Sequence, residues 1–420
     1  MNVAQDNRGV EKINPFVTGL SIVNMFFSLL MTLFGYTLFY LLEANGVSIY
    51  WGALGLSLGQ ILLIVILVPQ GRAIDRGHSY GLMLGGSLVY GVSIGIFFFI
   101  KSFQYFDLIF LVPVVIMFAS TTQNTFRSAM NSFIGKAVKA ALMGQNYARI
   151  ITMEMVGGSV AMFLSALFLT MDTLRFVYGI FSVFLIVSSL LIFTMLFRKS
   201  RTVLVSVEKK QKRPGFFESL RTLSARKRFV IPLYLGKIMM AIGYYGFSYY
   251  FILTGLRIGI SSFVSIILLG LVFAASVPFG KLAETLLNKF QNAGKSYVVM
   301  LSIIDVSSYT LLFLSVLLRN PLFYYLSVAV MIPGPLPTAG ALGYEVRMIG
   351  SENRGIYGSV QRILVAVSFI VISIPLAALY YFSVDYLWLL LLATSVSGLI
   401  FGISLPSSVV AVKTESASGS

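Results

Sequence analysis

Gly71-Arg72-Ala73-Ile74-Asp75-Arg76 and, 209 positions later, Gly280-Lys281-Leu282-Ala283-Glu284 are the stretches on which the fold turns. Both read glycine, three residues, then a carboxylate. Each follows a long apolar run, and another apolar run begins within about a dozen residues. A charged turn repeated at half the length of a hydrophobic chain points to a duplicated membrane protein. Two similar halves closing alternately around a central site is the architecture of secondary transporters.

Composition supports the bilayer. Of 420 residues, 57% are hydrophobic and only 11% charged, against roughly a quarter in soluble domains. Such a chain cannot cover itself with polar surface, and lipid replaces water as solvent for its outer face. With no cysteine there is no disulfide framework, thiolate chemistry or cysteine metal site. A single histidine, His78, rules out a histidine-cluster metal site. No metal and no cofactor are expected. The first 14 residues are polar, with charges of both signs, and run into an apolar stretch without a small-residue cleavage site. The first span is therefore expected to stay as an anchor.

Apolar runs of roughly 17–25 residues can cross a bilayer. Twelve are read, at 16–41, 49–70, 80–100, 106–130, 147–170, 173–197, 229–254, 260–280, 296–318, 321–345, 357–381 and 385–408. In lipid every backbone amide must be satisfied within its own segment, so these are helices. The expected fold class is an all-α integral membrane protein, with twelve transmembrane helices forming two six-helix pseudo-repeats.

The 31 Lys and Arg fix a sidedness. Only Lys101, Arg175, Arg257 and Arg319 fall at the ends reached after odd-numbered spans. Lys237 lies inside a span, and all the others gather on the first side. By the positive-inside rule that side is cytoplasmic and holds both termini, in a multi-pass protein of the cell membrane. The net charge of +16 is thus a topology signal first. Its largest block, Arg198 to Arg228, holds eleven basic and two acidic residues. It reads as a linker that touches anionic headgroups rather than a nucleic-acid site, since no aromatic interleaving accompanies it. The expected domains are 1–197, a basic cytoplasmic linker at 198–228, a second half at 229–408 and a polar tail at 409–420. A second echo supports the repeat: Met143-Gly144-Gln145-Asn146-Tyr147 stands 211 positions before Arg354-Gly355-Ile356-Tyr357-Gly358.

Glu43-Ala44-Asn45-Gly46-Val47-Ser48, then Gly52, Gly55, Pro69 and Gly71 to Arg76, resemble the span-two signature and loop motif of the major facilitator superfamily. The resemblance covers the whole chain as topology and about forty residues as motif. Two departures count against proton-driven drug export. His78, Ser79 and Tyr80 replace the glycine and two basic residues that usually follow the motif. Span five carries Glu154-Met155-Val156-Gly157-Gly158 instead of a Gly-Pro signature.

Gly71 is suited to a close turn at the membrane surface. Asp75 is suited to a helix N-terminus, where free amides and the dipole favour a carboxylate. The resemblance implies that Asp75 docks on the start of span eleven near Gly355, and Glu284 on the start of span five near Gly144. Gly71, Asp75, Arg76, Gly280 and Glu284 would then form a cytoplasmic gate that favours an outward-open state. A loop carboxylate facing water is the alternative.

Charges at bilayer depth are candidate functional groups. Lys237 lies nine residues past Arg228, so about 13 Å along a helix rising ~1.5 Å per residue. Tyr234, Ala241, Tyr244 or Tyr245, and Ser248 share its face. It could bind an anionic or hydroxylated substrate, snorkel to the interface, or pair with a buried acid. Span one shows a polar stripe at Thr18, Ser21, Asn24, Ser28, Thr32 and Tyr36. Span four carries Ser120, Thr121, Thr122, Gln123, Asn124, Arg127 and Asn131, with Arg127 a potential partner of Glu154. Lys237, Tyr244, Tyr245, Asn24, Gln123, Asn124 and Arg127 form the expected substrate site. Glu154 and Asp305, the two acids read as lying within spans, are the expected coupling or buried charges. Pro333, Pro335 and Pro337 cannot continue an intact helix in span ten, because two or more backbone hydrogen bonds are lost. A flexible or unwound gate near the binding site is expected there, with a static kink the alternative.

The leading expectation is a secondary active transporter that moves a small solute by alternating access. An organic anion or a sugar-like molecule is favoured, and proton coupling is open. The competing class is a non-pumping protein of the same fold, such as a lipid-handling protein or sensor. No Gly-x-x-x-x-Gly-Lys-Ser/Thr loop supports an ATP-driven pump. No Ser-His, paired-Asp or metal constellation supports an enzyme. The expected partners are a small-molecule substrate and the lipid bilayer, with no nucleic acid, and a monomer is expected.

Overall fold

The computed structural model describes residues 15–75, 78–103, 105–137, 143–168, 171–208, 227–289, 294–349 and 354–406. The chain forms helices α1 (Pro15–Ala44), α2 (Ile49–Asp75), α3 (Ser79–Gly95, extended by a 3₁₀ segment Ile96–Ser102), α4 (Tyr105–Ala137), α5 (Met143–Leu167) and α6 (Met171–Glu208). They are followed by α7 (Lys227–Arg257), α8 (Ser262–Lys289), α9 (Ser296–Leu317), α10 (Pro321–Ala329), α11 (Pro335–Ile349), α12 (Arg354–Phe382) and α13 (Val384–Ser404). Among the described residues, 11 helices are long and apolar enough to cross a membrane. The twelfth expected span is present but divided into α10 and α11, each too short to cross alone.

That division follows from Pro333-Gly334-Pro335. Proline has no amide to donate, so α10 closes in a tight turn, with Gly334 N–H donating to the Met331 carbonyl at 2.9 Å. Pro335 then stands at the first position of α11, where the missing amide costs nothing. A break at this depth needs other donors. Ser276 of α8 supplies one, its hydroxyl donating to the Ile332 carbonyl at 3.0 Å.

Two of the repeat's details differ from the sequence reading. Gly71 and Gly280 do not turn the chain, because α2 runs on to Asp75 and α8 to Lys289. In lipid a helix keeps its backbone bonds to the interface, so the charged motif is simply the helix end. Gly280 serves close packing instead: a Cβ there would strike the Thr152 side chain of α5. The repeat is marked by another glycine pair. Gly46, at φ +71°, ends α1, and Gly259, at φ +86°, ends α7 in the equivalent turn of the second half. Helix α6 continues to Glu208, into the stretch read as the basic linker.

Within the first half α3 and α4 pack together, α2 lies on α4, and α6 closes on α3 and α1. Within the second, α13 packs on α7 and α9. The halves meet along two seams, α5 against α8 and α2 against α12. Small residues bring the first seam close: Ala148 and Ile151 of α5 meet Ala283 of α8 and Ala339 of α11. Helix α1 is the most enclosed span, 78% buried against 28% for α12, which fits a cavity-side helix. Its Ser21, Asn24, Ser28, Thr32 and Tyr36 are all buried, so the polar stripe faces protein rather than lipid.

An even number of crossings puts the start of α1 and the end of α13 on one face, where most Lys and Arg collect. We call this the basic face. The halves also touch at the opposite face. There Tyr36 meets Phe247 and Phe273 edge-on, and Phe39 packs on Tyr249 and Tyr250. The Ser262 hydroxyl reaches Tyr40 at 3.2 Å.

Candidate functional site

Three of the expected charges at depth, Lys237, Arg127 and Glu154, are already paired. Lys237 of α7 lies 2.7 Å from Glu345 of α11, with side chains 25% and 11% exposed. Glu345 was not among the acids read as lying within spans. The proline break lets α11 restart deep in the bundle, which carries Glu345 inward of the expected span end. Desolvating either charge alone would be costly, so each neutralises the other. Around them Tyr234 stacks on Tyr357 at 4.8 Å and donates to the Tyr357 carbonyl at 3.3 Å. Val230, Leu233, Tyr344 and Leu405 complete an apolar wall.

The first half has a counterpart. Arg127 Nη2 of α4 stands 3.3 Å from Glu154 Oε1 of α5, and the fully buried Asn24 of α1 donates to the same oxygen at 3.4 Å. The expected Arg127–Glu154 partnership is present, with Asn24 added. Asn24 thereby uses its amide N–H, and its carbonyl oxygen has no partner. Arg127 is ten residues from the end of α4, Glu154 eleven from the start of α5 and Lys237 ten from the start of α7. All three therefore sit about 15 Å from the basic face. At this depth their side chains stay 37%, 20% and 25% exposed, and charges at bilayer depth are candidate functional groups.

The other expected site residues divide. Tyr244 is 54% exposed, and the hydroxyl of the buried Tyr36 faces both it and Ser248. Tyr245 points away and packs on Tyr249 and Phe369 at 4.9 and 5.0 Å. Asn124 donates to its own helix at the Ser120 carbonyl, 2.9 Å away. Gln123 is partly buried. Asp305 of α9 makes no ion pair among the described residues; it lies beside Tyr309, whose ring fills the space over Gly243 of α7. Glu284 pairs with Lys281 at 3.3 Å, one residue from the Ala283 that touches the start of α5. Arg76 and the side chain of Asp75 lie outside the described residues, and Gly144 and Gly355 are described only as helical backbone. No group of three or more His, Cys, Asp or Glu that could hold a metal occurs among the described residues.

The Major Facilitator Superfamily profile matches residues 20–371, more than half of the chain. The chain belongs to the Major Facilitator Superfamily. Solved structures of that fold superpose over nearly its whole length. The transporter FucP in its outward conformation gives a TM-score of 0.65 at 13% identity, covering 94% of this chain and 99% of that one. A partially occluded inward-open conformation of the xylose transporter XylE from E. coli gives 0.69 at 11% identity, covering 94% and 99%. A bacterial homologue of the iron transporter ferroportin gives 0.63 at 12% identity, covering 92% and 98%. Identities this low establish the shared fold alone. No curated protein matches in sequence. As a Major Facilitator protein the chain is a multi-pass membrane protein with the all-helical transporter fold.

Proposed function

We propose that this chain is a secondary transporter that moves a small, polar, overall uncharged solute by alternating access. The carrying observation is the compensation of charge. Each half holds one partly exposed cation at depth, and each cation already has a carboxylate within 3.3 Å. An organic anion would have to displace Glu345 or Glu154, leaving a buried carboxylate unpaired, a cost of several kcal/mol. A hydroxylated molecule meets no such penalty, because its OH groups can donate to the carboxylates and accept from Lys237, Arg127 and Tyr244. Tyrosine faces beside these groups suit the apolar side of a sugar-like ring. Of the two classes the sequence suggested, the sugar-like one is the better supported.

The excess of Lys and Arg on the basic face supports placing that face in the cytoplasm, with both termini there and the protein in the cell membrane. The contacts across the opposite face make this a conformation closed at that face. Proton coupling is assigned to the carboxylates at depth, of which Asp305 makes no ion pair among the described residues.

Uptake into proteoliposomes tests the reading, using radiolabelled neutral sugars and organic anions with and without a pH gradient. We expect accumulation of a neutral hydroxylated solute, lost in Lys237→Ala. Anion uptake would overturn the substrate class, and unchanged transport in Lys237→Ala would remove the site. A flux indifferent to the gradient would exclude proton coupling. Lipid movement without solute uptake would favour the lipid-handling alternative.

A further inference from the structure

The opposite face carries a device that the solute site does not use. The last turn of α12 ends in Tyr380-Tyr381-Phe382, and both tyrosines reach across to the other half. Tyr380 donates its hydroxyl proton to Glu43 Oε2, at the end of α1, over 3.5 Å. Its own half holds it in place. Arg257 Nε, at the end of α7, donates to the same hydroxyl at 3.4 Å, and the guanidinium sits 5.1 Å over the ring. Tyr250 packs against the other side, centroid to centroid 5.6 Å. Tyr381 turns the other way. Its hydroxyl accepts from the Ile49 amide at the first turn of α2, 3.4 Å away, and its ring stacks on Tyr50 at 5.3 Å. The Ile49 amide is one that a helix start leaves without an intrahelical partner.

We propose that the Tyr380–Tyr381 pair is a two-pronged latch that keeps the opposite face shut, with Glu43 and the start of α2 as its catches. Arg257 is a positioning residue, because it fixes Tyr380 without itself crossing between the halves. The chemistry fits a reversible closure. Every cross-half bond here ends on a hydroxyl or a backbone amide, and Glu43 and Tyr50 are exposed, so water can replace each bond as the halves part. Neither half leaves a bare charge behind when the latch opens, since Arg257 keeps Tyr380 and Glu43 returns to water. The aromatic layer beneath supplies area, and the two tyrosines supply register.

The latch rests on the alternating-access reading, and distances test it without transport. The chain has no cysteine, so spin labels placed at Leu167→Cys and Leu318→Cys report the opening alone. Both sites are exposed ends of helices on that face, outside the latch. In the full-length protein in nanodiscs the wild-type pair should give mainly one short distance. Tyr380→Phe and Glu43→Gln should each raise the ratio of open to closed by about fivefold, the scale of one lost hydrogen bond. Tyr381→Phe should do the same, and Tyr380→Phe with Tyr381→Phe should add. Arg257→Gln should widen the distribution in wild type but add nothing to Tyr380→Phe, which a merely structural arginine would not do. Unchanged distributions in both Tyr380→Phe and Glu43→Gln overturn the latch. Widening in those variants, in a protein that takes up no solute, upholds the latch and rejects the transport reading instead.

Discussion

The basic-face layer and the opposite-face layer of this bundle are held together by different kinds of bond. Near the basic face the strong interactions are ion pairs, and each lies within one half: Arg127 with Glu154, Lys237 with Glu345. At the opposite face the halves are joined to each other, by tyrosine hydroxyls, ring contacts and the serines Ser48 and Ser262. The difference is one of reversibility. Separating a desolvated ion pair costs about 3–5 kcal/mol, so such pairs make each half rigid. Hydrogen bonds that water can replace cost nearer ~1 kcal/mol, so they can form and break in every cycle. A machine whose halves must rock needs its stiffness inside them and its weakness between them.

Breaking the stiff part should have the largest effect. Glu345→Ala leaves Lys237 without its carboxylate and should lower stability by about 3 kcal/mol, read as a fall in the detergent melting temperature. Lys237→Met with Glu345→Leu should recover most of that loss while remaining inactive in uptake. If the single and double variants melt alike, the pair is not what stiffens the second half.

A steric test follows. At Gly157 a Cβ would meet the Met25 carbonyl of α1 at 2.5 Å, a backbone atom that cannot swing away. Gly157→Val should therefore cost about 1–3 kcal/mol, whereas Gly71→Val, with open space around it, should be close to neutral. Equal melting temperatures for the two would contradict the packing account.

The counterpart pair should matter less for stability. Arg127 is more than a third exposed, so its attraction to Glu154 is screened. Glu154→Gln keeps the hydrogen bond to Asn24 and should cost about 1 kcal/mol or less, while raising KM for the solute. The smallest effect is expected for Tyr50→Leu, which removes one exposed ring stack worth ~0.5 kcal/mol and should change neither melting nor KM measurably.

How much of this was readable in the residues depends on the length scale. Spans, their count and the division of span ten follow from apolar run length and from proline chemistry, both local properties. The Arg127–Glu154 partnership was also legible, because polar residues in neighbouring spans are few and must find each other. Glu345 was not, because its depth depends on where α11 restarts after the break, and a run of apolar letters does not show that. Tyr380 and Tyr381 read as the ordinary end of an apolar span; only the closeness of α12 to α1 and α2 gives them catches. Gly71 and Gly280 read as turns because a charge cluster ended the apolar run, yet the helices continue to Asp75 and Lys289.

The central claim is that two internally rigid halves open at one face as they close at the other. Measuring both faces in one protein tests it directly. One label pair at Leu167→Cys and Leu318→Cys spans the opposite face, and a second at His78→Cys and Ser296→Cys, both exposed, spans the basic face. On adding the solute that proteoliposome uptake identifies, or on breaking the latch with Tyr380→Phe, the first distance should lengthen as the second shortens, with matched populations. Both distances moving in the same direction, or neither moving while uptake proceeds, would contradict the account.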